Sequence, residues 1–286
     1  MSVDRLINVL VTITLFEMMV TIGLRVTFTD VFDTAKNWRV VLRAGLANYL
    51  FVPTVAIALL LLFQSDPMVA AGFLILAVCP GAPYGPPFTA MAKGNEALSV
   101  GLMVVLAGSS AVISPLLLSV FLPWLSRGQA LHVNLGKMVG TLLITQLLPL
   151  LAGLLVKHFR PQVAARLQNP LELASKIMNL GAGGLILAAQ FQMLIQIKLM
   201  GFIGMLILLL ATLGIGWLSG GDDMPARRAM ALTTSLRNVG VSLVIVTGSF
   251  GGTPAVSAAL AYGIVEIFGA LLLALWWGRQ QDRTGA

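Results

Sequence analysis

The chain has 286 residues, 58% of them hydrophobic and only 10% charged, with a mean hydropathy of +0.93. A water-soluble domain carries roughly 25% charged residues, so this composition excludes a chain that covers itself in water. The net charge of +7 is spread singly between apolar runs, which excludes nucleic acid as a partner, and a lone cysteine, Cys79, excludes an internal disulfide.

A hydrocarbon core of ~30 Å needs ~20 helical residues. The apolar runs predict an all-α membrane protein of about nine transmembrane helices, a single domain over 1–286 whose partner is the lipid bilayer. The spans fall near 7–28, 38–63, 68–94, 95–122, 132–157, 172–195, 197–218, 227–250 and 254–277. The first run, Ile7 to Phe28, is longer than a signal-peptide core and no small-residue cleavage site follows it, so it reads as a span. No long polar stretch points to an appended soluble domain.

The third span is broken. Apolar helix from Met68 to Pro80 is followed by Cys79-Pro80-Gly81-Ala82-Pro83-Tyr84-Gly85-Pro86-Pro87, after which a half-helix runs from Phe88 to Lys93. Each internal proline removes a donor and crowds the preceding turn. Such backbone survives at membrane depth only inside protein or against a wet cavity. A kinked helix without a site is the alternative. Later, 136–140 matches a small-residue packing pattern weakly, and Ser109 and Ser110 read as helix-packing hydroxyls. The eighth span carries a polar run, Thr233-Thr234-Ser235-Leu236-Arg237-Asn238-Val239-Gly240, which predicts a second break; a continuous helix with one polar face is nearly as good a reading.

With the N-terminus outside, thirteen basic residues fall inside: Arg25, Lys36, Arg39, Arg43, Lys93, Lys157, Arg160, Arg166, Lys176, Arg227, Arg228, Arg279 and Arg283. Four fall outside: Arg5, Arg127, Lys137 and Lys198. That bias predicts a multi-pass protein of the plasma (inner) membrane with a cytoplasmic C-terminus. The two breaks hold corresponding places in two stretches, a first repeat about 7–122 and a second about 132–277, of inverted sense. Paired broken helices in an inverted repeat point to a secondary transporter.

Three stretches resemble the bile acid:sodium symporter family. They are Met18 to Leu24 with its following hairpin, Asn48-Tyr49-Leu50-Phe51-Val52-Pro53, and, most specifically, Cys79-Pro80-Gly81 through Ala92-Lys93-Gly94-Asn95-Glu96-Ala97-Leu98-Ser99-Val100. Leu236-Arg237-Asn238 stands where that family has a Gln-Asn pair. The resemblance implies a panel domain, a core domain and two broken helices crossing in the core. It also implies departures in a bacterial-type member. Gly85 and Pro86 take the places of a sodium-binding Ser-Asn pair, Met103 stands where a hydroxyl is expected, Thr233 replaces a glutamate and Arg237 a glutamine. Ser99, Asn48 and Asn238 are kept.

A hard cation wants oxygen ligands and carboxylate charge, so the loss of a carboxylate at Thr233 and the gain of a guanidinium at Arg237 argue against sodium coupling. No cofactor or metal is expected. A charged residue at mid-membrane costs ~2.5–3.5 kcal/mol on insertion scales and faces a cavity or a partner. Arg237 is therefore expected to act as a tethered cation, paired with Glu266, with Glu17 or with a substrate anion. The half-helices starting near Phe88 and Val239 would aim their N-termini at the crossing and make it favourable to anions. The expected cargo is a small organic anion, with Tyr84 and Thr89 as candidate pocket residues. Sodium- or proton-coupled symport of bile-acid-like solutes, through Glu17 or Glu266 in the proton case, is the alternative. An intramembrane enzyme is disfavoured, because His132 and His158 lie near span ends on opposite sides and no catalytic cluster is visible. A membrane sensor would need an exposed domain or tail.

Overall fold

The computed structural model describes the backbone of residues 3–284 except 127, 129, 130 and 132. Their side chains are described save for 3–8, 179, 183, 186, 190, 193 and 281–284. Arg127 and His132, and the side chains of Arg5 and Arg283, lie outside the described residues. The described residues are mostly helical, with no strand among them. Seven helices are long and apolar enough to cross a membrane, or eight when the bent pair α1 (Val3–Arg25) and α2 (Phe28–Lys36) counts as one. The remaining expected span, 68–94, is divided between α5 (Pro67–Ala77) and α6 (Gly85–Met91), neither of which reaches across alone.

Helix starts follow from capping side chains. Thr27 and Asp30 form a capping box that opens α2, so the chain turns by 84° after α1 and does not continue as a span to 28. Asp66 accepts the Met68 and Val69 amides at the start of α5. Asn95 caps α7 (Glu96–Leu125), Asn134 caps α8 (Leu135–Leu142) and Asp223 caps α12 (Met224–Ser235). Each supplies an acceptor to a first-turn amide that has no partner within its helix.

Two π turns interrupt otherwise straight spans, at Ala47–Phe51 between α3 (Trp38–Leu46) and α4 (Val52–Leu62), and at Leu143–Leu147 between α8 and α9 (Leu148–Phe159). Pro53 and Pro149 stand two residues beyond them. Proline offers no N–H to the carbonyl four residues back and its ring crowds that carbonyl. The helix widens, and the Val52 and Leu148 amides reach back five residues to Ala47 and Leu143.

Helix α1 packs on α9 and on α10 (Pro161–Leu194), and α9 packs on α10. Gly23 and Gly153 let α1 and α9 meet backbone to backbone, since a Cβ on Gly23 would lie 2.3 Å from the Leu150 carbonyl oxygen. Gly140 has nothing within 4 Å and Gly136 meets only Asn134 in its own loop, so the close packing belongs to Gly23 and Gly153 and not to 136–140. A second group joins α5, α6, α7, α11 (Leu199–Ser219), α12, α13 (Val239–Phe250) and α14 (Pro254–Thr284). Here α14 lies against α5, and α12 against both α11 and α6.

Candidate functional site: the crossing of two broken helices

The first break runs from Val78 to Tyr84, and helix resumes at Gly85, three residues earlier than Phe88. Pro86 and Pro87 stand in the first turn of α6, where a missing N–H costs nothing. In the second, α12 stays helical through Ser235 and only Leu236, Arg237 and Asn238 are irregular. Thr233 and Thr234 are thus helical residues.

The breaks satisfy one another. The Asn238 amide donates to the Cys79 carbonyl (2.9 Å) and Asn238 Nδ2 to that of Gly81 (3.4 Å). Ser114 Oγ of α7 donates to the Val78 carbonyl (2.5 Å), the Gly85 amide to that of Ala82 (3.2 Å), and Arg237 Nη1 to that of Ala77 (3.3 Å). Buried backbone groups therefore find partners at a depth where water cannot supply them.

Arg237 is 1% exposed and its guanidinium is enclosed by neutral oxygens. Nη2 donates to Asn48 Oδ1 (2.7 Å), the amide that the first π turn brings inward, and to the Thr234 carbonyl. The expected pairing with Glu266 is made by the backbone instead. Leu236 turns to extended geometry, which frees the Arg237 N–H, and Glu266 Oε1 accepts it at 2.8 Å. Glu17 is elsewhere; its carboxylate accepts from Thr21 (2.8 Å) and from Ser175 of α10 (2.5 Å).

A second cluster lies beside the first. Thr89 Oγ1 donates to the Gly85 carbonyl (2.9 Å) and lies 3.1 Å from Ser99 Oγ, and Ser99 and Thr233 hydroxyls meet at 2.9 Å. These three buried hydroxyls tie α6, α7 and α12 together. Gly85 and Pro86 are buried at this place, and a Cβ on Gly85 would approach Ser99 Oγ to 3.6 Å. Thr89 is thus bonded within this chain of hydroxyls and stands outside the wall of the cavity between α1, α10, α13 and α14.

A cavity of about 510 Å³ opens between α1 and α10 on one side and α13 and α14 on the other. Tyr84 stands in its wall. Its polar end is Asn238, Val239 and Gly240, the start of α13, while Leu15, Leu187 and Ile264 are typical of the rest. The Arg237 guanidinium is not part of this wall; the residue after it is. Asn238 Oδ1 caps the Val241 amide (3.1 Å), and Nδ2 donates to Gln146 Oε1 (3.1 Å). Gln146, carried inward by the second π turn, donates in turn to the Ala107 carbonyl (2.5 Å) and Ser110 (3.2 Å). Sequence reasoning passed over Gln146 and Ser114, although a mid-span amide three residues before proline repeats the Asn48 signal and Ser114 directly precedes Pro115.

Residues 12–217 match the sequence profile of the Sodium Bile acid symporter family. The chain belongs to that family. Within it, the chain is similar to the uncharacterized sodium-dependent transporter YocS of Bacillus subtilis (strain 168), at 28% identity over 260 residues, 88% of this chain and 77% of that protein. It is also similar to a probable chloroplastic sodium/metabolite cotransporter of Oryza sativa subsp. japonica, at 26% over 272 residues (91% and 62%). A further probable chloroplastic sodium/metabolite cotransporter, from Arabidopsis thaliana, is 26% identical over 270 residues (90% and 64%). The chain spans less than two thirds of the length of these two plant relatives. The match to the symporter family ends at 217, so the second break, with Thr233 and Arg237, lies beyond it. Family membership and the apolar helices make this a multi-pass membrane protein of a transporter family.

Proposed function

We propose that the chain is a secondary transporter of a small organic anion that works without sodium at the crossing, because Arg237 is a permanent cation there. The observation that carries this is the guanidinium's surroundings. Asn48 Oδ1, the Ala77 carbonyl and the Thr234 carbonyl converge on it from three elements, a set of neutral oxygens such as a hard cation takes. Arginine stays charged, and its two terminal nitrogens occupy a site that an ion would have to enter and leave. The neighbouring cluster holds only hydroxyls at Thr89, Ser99 and Thr233, with no carboxylate.

The cavity supports the cargo. Apolar walls suit a hydrophobic body, and the start of α13 turns the positive end of a helix dipole toward an anionic group. On this reading α1, α8, α9 and α10 are the panel and the remaining helices from α3 onward the core. The cavity between them is the place that opens alternately to each side. The nine-span count, with the N-terminus outside and a plasma-membrane location, is part of the same proposal. It is supported by contacts at one end of the bundle between elements assigned to the inside, among them Arg25 with Glu172 (3.7 Å), Phe28 with His158 and Arg228 with the Ala92 carbonyl (2.8 Å).

The test is counterflow of radiolabelled 2-naphthalenesulfonate, a monovalent anion at every working pH, into proteoliposomes with sodium or potassium as the only cation. Equal rates in the two salts are expected. Sodium-dependent uptake by the wild type would overturn the tethered-cation reading, and so would undiminished uptake by a folded Arg237→Gln protein.

A further inference from the structure

A carrier whose cation is fixed to the chain cannot draw on a sodium gradient at that place, so energy coupling there would need a movable charge on another group. Among the described residues of the crossing, Glu266 is the carboxyl. It is fully buried on α14. Oε1 accepts the Arg237 backbone N–H, whereas Oε2 has no hydrogen-bond partner. The guanidinium spends its bonds on neutral oxygens and forms no ion pair with it.

Few charged or titratable groups face this carboxyl. Arg237 approaches from the second break and Tyr262 lies one turn earlier on α14, with Cys79 and Tyr49 beyond the guanidinium. Helices α5, α6, α11 and α13 carry no titratable side chain. Arg227 and Arg228 occupy the far end of α12, where Arg228 meets Trp277, and on α10 Glu172 pairs with Lys176.

We infer that Glu266 is the proton site that couples anion transport, an inference that rests on the transport reading above. A proton added to Oε2 breaks no existing bond, since Oε1 keeps the Arg237 amide in both states. With the proton on, the crossing carries the uncompensated charge of Arg237; with it off, carboxylate and guanidinium cancel. Asn238, the residue after Arg237, stands in the cavity wall, so the charge change occurs one residue from the anion's place. An anion in the cavity binds more tightly to the protonated state, and by linkage the proton binds more tightly when the anion is present. The proton enters Oε2 from the side where the cavity opens and leaves on the other side with the anion. For a monovalent anion this is a one-to-one, electroneutral symport.

The experiment uses the wild type in proteoliposomes with pyranine inside and radiolabelled 2-naphthalenesulfonate outside. A gradient of one pH unit, acid outside, is expected to drive about tenfold accumulation. One proton should enter per sulfonate, without a membrane potential. In Glu266→Gln the accumulation ratio should fall to about one, and any exchange that remains should be flat with pH. Wild-type exchange with no response to the pH gradient, or uphill accumulation that survives in Glu266→Gln, overturns the proton site. No exchange by the wild type in either salt and without a gradient removes the transport reading itself, and the inference with it.

Discussion

Arg237 shows how a residue that is costly in a membrane becomes an organising one. Its charge is buried, yet Asn48, Ala77 and Thr234 supply oxygens to its terminal nitrogens, so hydrogen bonds return part of what burial costs in solvation, with Nε left without a partner. Among the described residues, Asn48 Oδ1, at 2.7 Å, is the one side-chain acceptor for the guanidinium. Asn48→Ala should therefore lower stability by about 1.5–3 kcal/mol, the range for a hydrogen bond to a charged group. Asn48→Asp, which keeps the acceptor, should cost less. Thermal unfolding of the purified proteins in one detergent would measure both, and equal midpoints for wild type and Asn48→Ala would contradict the role given to this amide. Asn48, Ser99, Thr233, Arg237, Asn238 and Glu266 were all legible in the sequence as polar residues out of place in apolar spans. Their partners were not: the sequence suggested Glu266 against the guanidinium, and the backbone turn at Leu236 assigned it to an amide.

At the scale of elements, the breaks work because each supplies what the other lacks. The first offers bare carbonyls at Ala77, Cys79 and Gly81; the second brings donors from Arg237 and Asn238. Gly81 is where the first break lies close against α7. Its φ of +86° suits glycine, and a Cβ there would come within 2.6 Å of the Ala107 amide of α7. Gly81→Ala should therefore cost at least about 2 kcal/mol, from left-handed strain plus overpacking. The expected signature is a lower unfolding midpoint together with lost counterflow; a midpoint within a degree of the wild type would show that the crossing gives way easily. The proline runs made the first break readable. The two π turns were not read, because a proline in an apolar span signals a distortion without saying whether the helix kinks, ends or widens.

For the molecule as a whole, the alternation of charged ends and apolar spans has a consequence that can be checked from outside the cell. The proposed topology puts the turn between α4 and α5 outside and the turn between α11 and α12 inside. Ser65→Cys should react with a membrane-impermeant maleimide in intact cells, and Asp222→Cys only after permeabilisation. The native Cys79 is buried, which makes the wild type the unlabelled control. The reverse pattern would invert the proposed orientation, and labelling of both in intact cells would break the nine-span count.

Composition and hydropathic spacing by themselves determined that this is an all-helical membrane protein, and prolines and polar residues at membrane depth marked where its helices fail. These are local properties: a span is set by its own length and apolarity, and a break by its own missing donors. Which groups meet across the breaks was decided only by tertiary structure. A guanidinium, a carboxyl and two amides from distant parts of the chain acquire their roles from packing, and sequence distance carries no record of which oxygen lies 2.7 Å from which nitrogen.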